Sequence, residues 1–166
     1  MPFEELAKTL KTQANNLQTP DLEAISMGAI EKIVDFLKEY PFVPFERRED
    51  AIRALPSSEN GFEVALLVNA GNYTVCYAFW HTEFTDEQMS VNALINGLTD
   101  DVRLKVASRG KVDYRWNIQF QEPQGWVTGS AVFIFHYPFW KEKKIRYLQN
   151  DYFFVTEAQG ETASTS

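Results

Sequence analysis

The chain has 166 residues, of which 45% are hydrophobic and 23% are charged, so a mainly disordered protein is excluded. Its 23 acidic and 16 basic side chains give a net charge of −7, which argues against general nucleic-acid binding because phosphates attract Lys and Arg. No apolar run reaches the roughly 18 residues of a membrane span, and one cysteine cannot form an internal disulfide. These features predict a cytoplasmic protein with a single domain over residues 1–155 and a flexible tail over residues 156–166.

The charge is unevenly distributed along the chain. Residues 54–102 contain seven acidic side chains and no Lys or Arg. Residues 103–149 contain nine basic and three acidic side chains, a net of +6. Whether these two segments form separate surfaces depends on the fold, because strand pairing can interleave residues that are distant in sequence.

The N-terminal part of the chain predicts helices. Apolar residues recur at helical spacing over residues 3–17, and Thr19-Pro20-Asp21 has the residue types of a helix start. A second helix is predicted from residue 22 to about residue 40, because Pro41 disfavours helix in the residue before it. We expect a short third helix over residues 46–55.

The middle of the chain predicts a β-hairpin followed by a helix. Residues 62–69 and 73–84 are rich in β-branched and aromatic side chains, and Asn69-Ala70-Gly71-Asn72 supplies a turn. Thr85-Asp86-Glu87-Gln88 has the form of a capping box. A helix is therefore predicted to begin there and to continue to about Leu98.

The last part of the chain predicts strands joined by short turns. Alternating apolar and basic side chains over residues 101–108 favour a strand, although the flanking residues would also suit a helix. Residues 112–121 and 126–137 are predicted to pair around the turn Glu122-Pro123-Gln124-Gly125. A final strand is expected from residue 145 to about residue 155.

The order of elements predicts an α+β domain. N-terminal helices would pack on one face of a curved, mainly antiparallel sheet of about five or six strands, since short turns join antiparallel neighbours. This order is similar in outline to the NTF2-like (cystatin-like) folds, in which helices cover a strongly bent sheet around a cavity. The similarity is one of element order, so it implies no functional residue.

Two histidines are the main candidates for catalysis. His81 and His136 lie on predicted strands, and a histidine beside a carboxylate can act as a general base because its pKa is near neutrality. The alternative interpretation of each is a structural ring with one hydrogen bond. We predict no metal or cofactor, because Cys76 is alone and the sequence has no His-x-x-x-His or Cys-x-x-Cys pair.

Aromatic residues are the most informative positive feature, since the chain has 13 Phe, seven Tyr and four Trp. Alternation over residues 133–140 predicts that positions 133, 135 and 137 face the core. Phe139 and Trp140 are adjacent, so we expect one of them to be exposed near Lys143 and Lys144. An aromatic ring among cations is a contact point for a partner or an anionic ligand. The alternative is a sheet packed by large rings beside a solvated lysine turn.

The favoured hypothesis is a non-catalytic interaction protein, such as an inhibitor or immunity-type protein, that binds a basic protein partner. Its candidate contacts are acidic, aromatic and basic, namely Glu83, Asp86, Glu87, Asp100, Asp101, Trp140, Lys143 and Lys144. The alternative is a small-molecule-binding or isomerase/hydrolase-like domain with an aromatic cavity, in which His81, His136 and Tyr114 supply the polar chemistry. No membrane contact is predicted, and a homo-oligomer stays open.

Overall fold

The computed structural model describes residues 28–152, which form two helices and nine strands. In chain order these are α1 Ala29–Lys38, β1 Phe45–Arg47, β2 Ala51–Ala54, β3 Val64–Asn69, β4 Asn72–Tyr77, β5 Trp80–Phe84, α2 Glu87–Asn96, β6 Val102–Arg109, β7 Val112–Glu122, β8 Gly125–Phe133 and β9 Lys143–Gln149. All the paired strands are antiparallel, and short connections join every pair except β6 and β9.

The first sheet has the strand order β1-β2-β3-β4-β5. Its inner face carries alternate apolar residues, and its most deeply buried members are Ile52, Val64, Leu66 and Val75. Helix α2 packs against β3, β4 and β5, and α1 contacts α2. Each helix is amphipathic, with buried residues at helical spacing: Ile30, Ile33, Val34 and Leu37 in α1, and Val91, Leu94 and Ile95 in α2.

The second sheet has the strand order β8-β7-β6-β9. Its inner face continues the same core, and its buried members include Val102, Leu104, Val106, Trp116 and Ile118. The two sheets contact each other through β5, where the Phe79 ring just before the strand stacks on Trp116 at 4.7 Å. Beside it, Trp80 Nε1 donates a hydrogen bond to Ser130 Oγ at 3.2 Å.

Asn150 joins the end of the second sheet to the first half of the molecule. The residue is fully buried, and its Oδ1 accepts hydrogen bonds from the backbone N–H groups of Ser57 and Phe62 at 3.3 and 3.2 Å. Its Nδ2 donates to the carbonyls of Phe62 and Gly97 at 2.7 and 2.9 Å. One side chain thus satisfies four backbone groups, three in the loop between β2 and β3 and one directly after α2.

The predicted α+β class and the antiparallel pairing are confirmed. The predicted single sheet of five or six strands differs from the two sheets of five and four strands that the structure contains. The NTF2-like outline and the placement of helices on one sheet face stay predictions. The first predicted helix lies outside the described residues, and the described part of the second ends at Lys38.

The predicted third helix over residues 46–55 is wrong. This segment forms β1 and β2, in which Ile52 and Ala54 are buried while their neighbours are half-buried. The alternation of burial has a period of two, so Ile52 and Ala54 form one face of a strand and not the buried face of a helix. Pairing of β2 with β3 stabilises this choice through tertiary contacts that the sequence window does not contain.

The predicted long strand over residues 73–84 is two strands. The chain reverses at Ala78 and Phe79, and Ala78 has a φ of 50°. The reversal places both Tyr77 and Trp80 in the core, where their rings stack at 5.2 Å. A continuous strand would send these two side chains, three positions apart, to opposite faces.

The helix α2 and the strand β6 agree more closely with the elements predicted from the sequence. The strand favoured over residues 101–108 is confirmed as β6, and the predicted helix is confirmed as α2. Its N-cap is Asp86, whose Oδ1 accepts a hydrogen bond from the Met89 N–H at 2.7 Å, so the cap lies one residue later than the predicted capping box.

The predicted facing of residues 133, 135 and 137 is wrong for the two phenylalanines. Phe133 and Phe135 are exposed, whereas Ile134 packs against the core. Pairing of Val132 with Trp116 sets this phase, because it places residue 132 on the inner face and residue 133 outside.

Candidate functional site

The outer face of the second sheet carries only basic residues among its charged positions. On β6, Val102, Leu104 and Val106 are buried inward, so the intervening side chains point outward. The pairing register aligns these residues with outward positions of β7 and β9. The charged residues in these rows are Arg103, Lys105, Arg109, Arg115 and Lys143. We call this surface the basic face.

The cations of the basic face have no acidic partners among residues 28–152. Among the described residues, Arg146 is the only basic residue of the second sheet in an ion pair, and it lies on the opposite face of β9. Its Nη1 and Nη2 are each 2.5 Å from an oxygen of the Asp113 carboxylate. Within residues 28–152, the positive charge of the basic face is therefore not neutralised by an ion pair.

Arg103 is the one cation of the basic face that lies against aromatic rings of the described chain. Its guanidinium carbon lies 4.0 Å from the centre of the Trp126 ring and 4.3 Å from that of Tyr147, which is a double cation–π arrangement. Its Nε donates to Gln119 Oε1 at 2.8 Å, and Gln119 Nε2 donates to Thr128 Oγ1 at 2.8 Å. Burial in this stack lowers the pKa of the Arg103 guanidinium, which still stays charged.

Residues 133–140 form a loop of exposed rings at the end of β8, which we call the aromatic arch. Its exposed members are Phe133, Phe135, Phe139 and Trp140. Phe135 is 86% exposed and contacts Phe133 with a centroid distance of 5.0 Å. Both Phe139 and Trp140 are exposed, whereas the sequence predicted one.

The aromatic arch is anchored to the basic face. Arg109 Nη1 donates hydrogen bonds to the carbonyls of Phe139 and Lys141 at 2.9 and 2.6 Å. The Tyr137 ring stacks on Tyr114 at 4.1 Å, in the bulge of β7. Because the backbone is held in this way, the arch presents its rings without a large cost of ordering on binding.

The predicted basic candidates lie on opposite faces of β9. Lys143 pairs with Arg109 and belongs to the basic face, whereas Lys144 pairs with Ser108 on the other side of the strand. Both are exposed, and β9 begins at Lys143 where the sequence predicted a turn. Trp140 is 70% exposed and follows the carbonyl that Arg109 holds.

Three of the predicted acidic candidates lie around the start of α2. Glu83 is exposed on β5, and Asp86 caps the helix. Glu87 forms an ion pair with Lys32 and accepts a hydrogen bond from the Tyr73 hydroxyl at 3.3 Å. Glu87 is therefore already neutralised within the fold.

The other two acidic candidates follow α2, about 15 Å away along the ten-residue helix. The backbone carbonyl of Asp100 accepts from Gln149 Nε2 at 2.5 Å, and that of Asp101 accepts from the Gln121 N–H at 2.8 Å. Partial burial raises the pKa of the Asp101 carboxyl. The five acidic candidates consequently form two groups and no single cluster.

The histidine candidates are both exposed. His81 lies on the outer face of the first sheet opposite Cys76, with its Nδ1 3.3 Å from the Phe79 carbonyl, and His136 lies in the aromatic arch. No contact in the described part of the chain joins them. Burial, followed by the charge of Glu63, raises the pKa of the half-buried Cys76 thiol, which disfavours its nucleophilic form.

Between residues 28 and 152, no group of three or more His, Cys, Asp or Glu side chains is arranged to hold a metal ion. Neither described helix is long and apolar enough to cross a membrane, since each has ten residues.

Sequence reasoning missed the Arg103 stack with its neighbours Gln119, Trp126 and Tyr147. The available signal was the alternation of basic and apolar residues in β6, which predicts outward cations. The two rings come from β8 and β9. Only the strand order shows that β9 lies next to β6 on one side and that β8 lies beyond β7 on the other. The chain matches no family model, and neither a curated protein nor a solved structure is significantly similar to it.

Proposed function

We propose that this protein is a non-catalytic binding module that docks an acidic protein segment, bearing apolar side chains, on the basic face and the aromatic arch. The observation that carries this proposal is the anchored arch of exposed rings beside a sheet face whose charged residues are all basic. Aromatic rings and arginine dominate the binding energy of protein interfaces.

Charge complementarity supports an anionic partner. Five cations share the basic face, and the described residues supply them with no acidic partner. Binding an opposite charge there would gain attraction without first breaking an internal ion pair.

The remaining charge supports a protein over nucleic acid. Residues 28–101 hold thirteen acidic and five basic side chains, a net of −8, which would repel a long polyanion. An acidic protein segment carries fewer charges, and its apolar side chains would contact Phe135, Phe139 and Trp140, which polar phosphates would leave unused.

A random peptide display library screened against the full chain tests the proposal. We expect enriched peptides to combine Asp or Glu with Leu or aromatic residues. Their affinity should fall about tenfold or more in Phe135→Ser and Trp140→Ala, because exposed anchors that become buried on binding contribute most. Affinity should also fall as salt rises, because the cations are exposed.

Glu83→Gln and Asp86→Asn serve as matched controls, and Asn at position 86 keeps the helix cap. Enrichment of basic peptides that lose affinity in these two variants would contradict the proposal. That result would instead support the basic partner predicted from the sequence. The absence of Lys and Arg from residues 54–101 favours such a partner. Binding of oligothymidylate in preference to every enriched peptide would also contradict it.

A further inference from the structure

We propose that Arg103 is the specificity-determining residue of this surface and that it binds a carboxylate of the partner through its free Nη edge. The inference rests on the proposed function and adds the chemical group that the basic face recognises. A planar guanidinium can pair with both oxygens of an Asp or Glu carboxylate in two parallel hydrogen bonds.

The hydrogen bonds of Arg103 leave this edge available. Only its Nε donates to a protein acceptor, Gln119 Oε1, and no residue from 28 to 152 accepts from Nη1 or Nη2. Within the same range, no buried polar side-chain atom lacks a partner. The unpaired Nη groups are therefore in contact with solvent, where an incoming carboxylate can reach them.

The surroundings of Arg103 fix its orientation before binding. The Trp126 and Tyr147 rings both lie within 4.3 Å of the guanidinium carbon, and buried Gln119 accepts a hydrogen bond from its Nε. Among the other cations of the basic face, Arg109 already donates its Nη1 to two carbonyls of the arch, and Lys105 and Arg115 have no ring contact and no side-chain hydrogen bond with a described residue. Preorganisation lowers the entropic cost of pairing, so Arg103 should discriminate between ligands where the other cations only attract them.

The experiment uses the full chain labelled with ¹⁵N and three probes: sodium glutarate, inorganic phosphate and a short poly-L-glutamate. The Arg103 Nε–Hε resonance should shift on addition of glutarate and of poly-L-glutamate. Arg103→Lys keeps the charge but removes the planar edge, so it should weaken poly-L-glutamate binding about tenfold. The matched variant Arg115→Lys, on the same face, should change it less than about twofold.

Equal losses in Arg103→Lys and Arg115→Lys, with binding to the wild type intact, would overturn the inference and leave the proposed function standing. Tighter binding of phosphate than of glutarate at the Arg103 resonance would overturn the carboxylate assignment. Failure of the wild type to bind poly-L-glutamate would contradict the proposed acidic partner itself. The urea midpoints of both variants distinguish a lost contact from a loosened sheet.

Discussion

The two halves of the described chain, residues 28–101 and residues 102–152, differ in how many of their basic side chains form ion pairs. Residues 28–101 contain five basic side chains, and four of them form ion pairs: Lys32, Lys38, Arg47 and Arg53. Residues 102–152 contain nine basic and four acidic side chains, yet Arg146 alone has an ion-pair partner among residues 28–152. Among the described residues, the unpaired positive charge is therefore concentrated in the second half.

Apolar exposure follows the same division. Twelve large hydrophobic residues of the described chain are exposed, and eight of them belong to residues 102–152. Helix α2 packs on the first sheet, where it buries apolar area, whereas the rings at the end of β8 have no such cover from the described residues. Scattered exposure is ordinary, but several large rings on one anchored loop are typical of a contact surface.

The largest effect on this arrangement is expected from Asn150→Ala, because Asn150 connects the halves. Its removal leaves buried backbone groups of Ser57, Phe62 and Gly97 without partners. We expect the free energy of unfolding to fall by about 3 kcal/mol or more, since each unsatisfied buried group costs on the order of 1–3 kcal/mol. Urea denaturation measures this change.

Asn117→Ala is the matched control. Asn117 lies half-buried on β7, and its side chain has no hydrogen bond to another described residue, so the same truncation should cost less than about 0.5 kcal/mol. A similar loss of stability in both variants would show that packing alone, and not the Asn150 hydrogen bonds, holds the two halves together.

A second variant, Gly97→Ala, tests how tightly the first half is packed. A Cβ atom at Gly97 would lie 2.5 Å from the Tyr77 ring, which is buried below it. Gly97 has a φ of −63°, so alanine would meet no backbone strain and would otherwise stabilise the fold by about 0.4–1 kcal/mol. The clash should reverse the sign and cost about 1–3 kcal/mol in urea denaturation.

Replacing the ring tests the cause of that loss. In a Tyr77→Leu background the clash is absent, so Gly97→Ala should cost less there than in the wild type, as a double-mutant cycle reveals. A stabilised Gly97→Ala variant would mean that the first half accommodates an extra methyl group. The contrast between the tightly packed core of the first half and the exposed outer face of the second sheet would then be weaker.

The sequence was sufficient for elements whose pattern is local. The spacing of Ile30, Ile33 and Leu37 predicts α1, and alternation over residues 101–108 favours β6. It was insufficient where partners decide the outcome. Residues 46–55 form strands because β3 pairs with them, and Phe133 faces outward because Val132 pairs with Trp116.

The sequence predicted that an exposed aromatic ring would lie near basic side chains, but it did not identify most of the residues of the candidate site. Trp140 and Lys143 were predicted because an aromatic ring near lysines is visible in a short window of sequence. More than twenty positions separate Arg103 from Trp126, and more than twenty separate Trp126 from Tyr147. Only the strand order of the second sheet brings the three side chains together. Long-range pairing of this kind leaves no trace in local periodicity.

The smallest effect is expected from a pair of arginines on the second sheet. Arg146 is paired with Asp113, so Arg146→Gln should lower the free energy of unfolding by about 0.5–1 kcal/mol, the range of a partly exposed ion pair with good geometry. Arg115 has no acidic partner among the described residues, so Arg115→Gln should cost nothing measurable and relieve repulsion between neighbouring cations. Urea denaturation at low and high salt separates the two cases, because screening should shrink the Arg146 effect. If Arg115→Gln proves the more costly substitution, Arg115 is held by an interaction inside the protein. The second sheet would then lose the open positive charge that distinguishes it from the first.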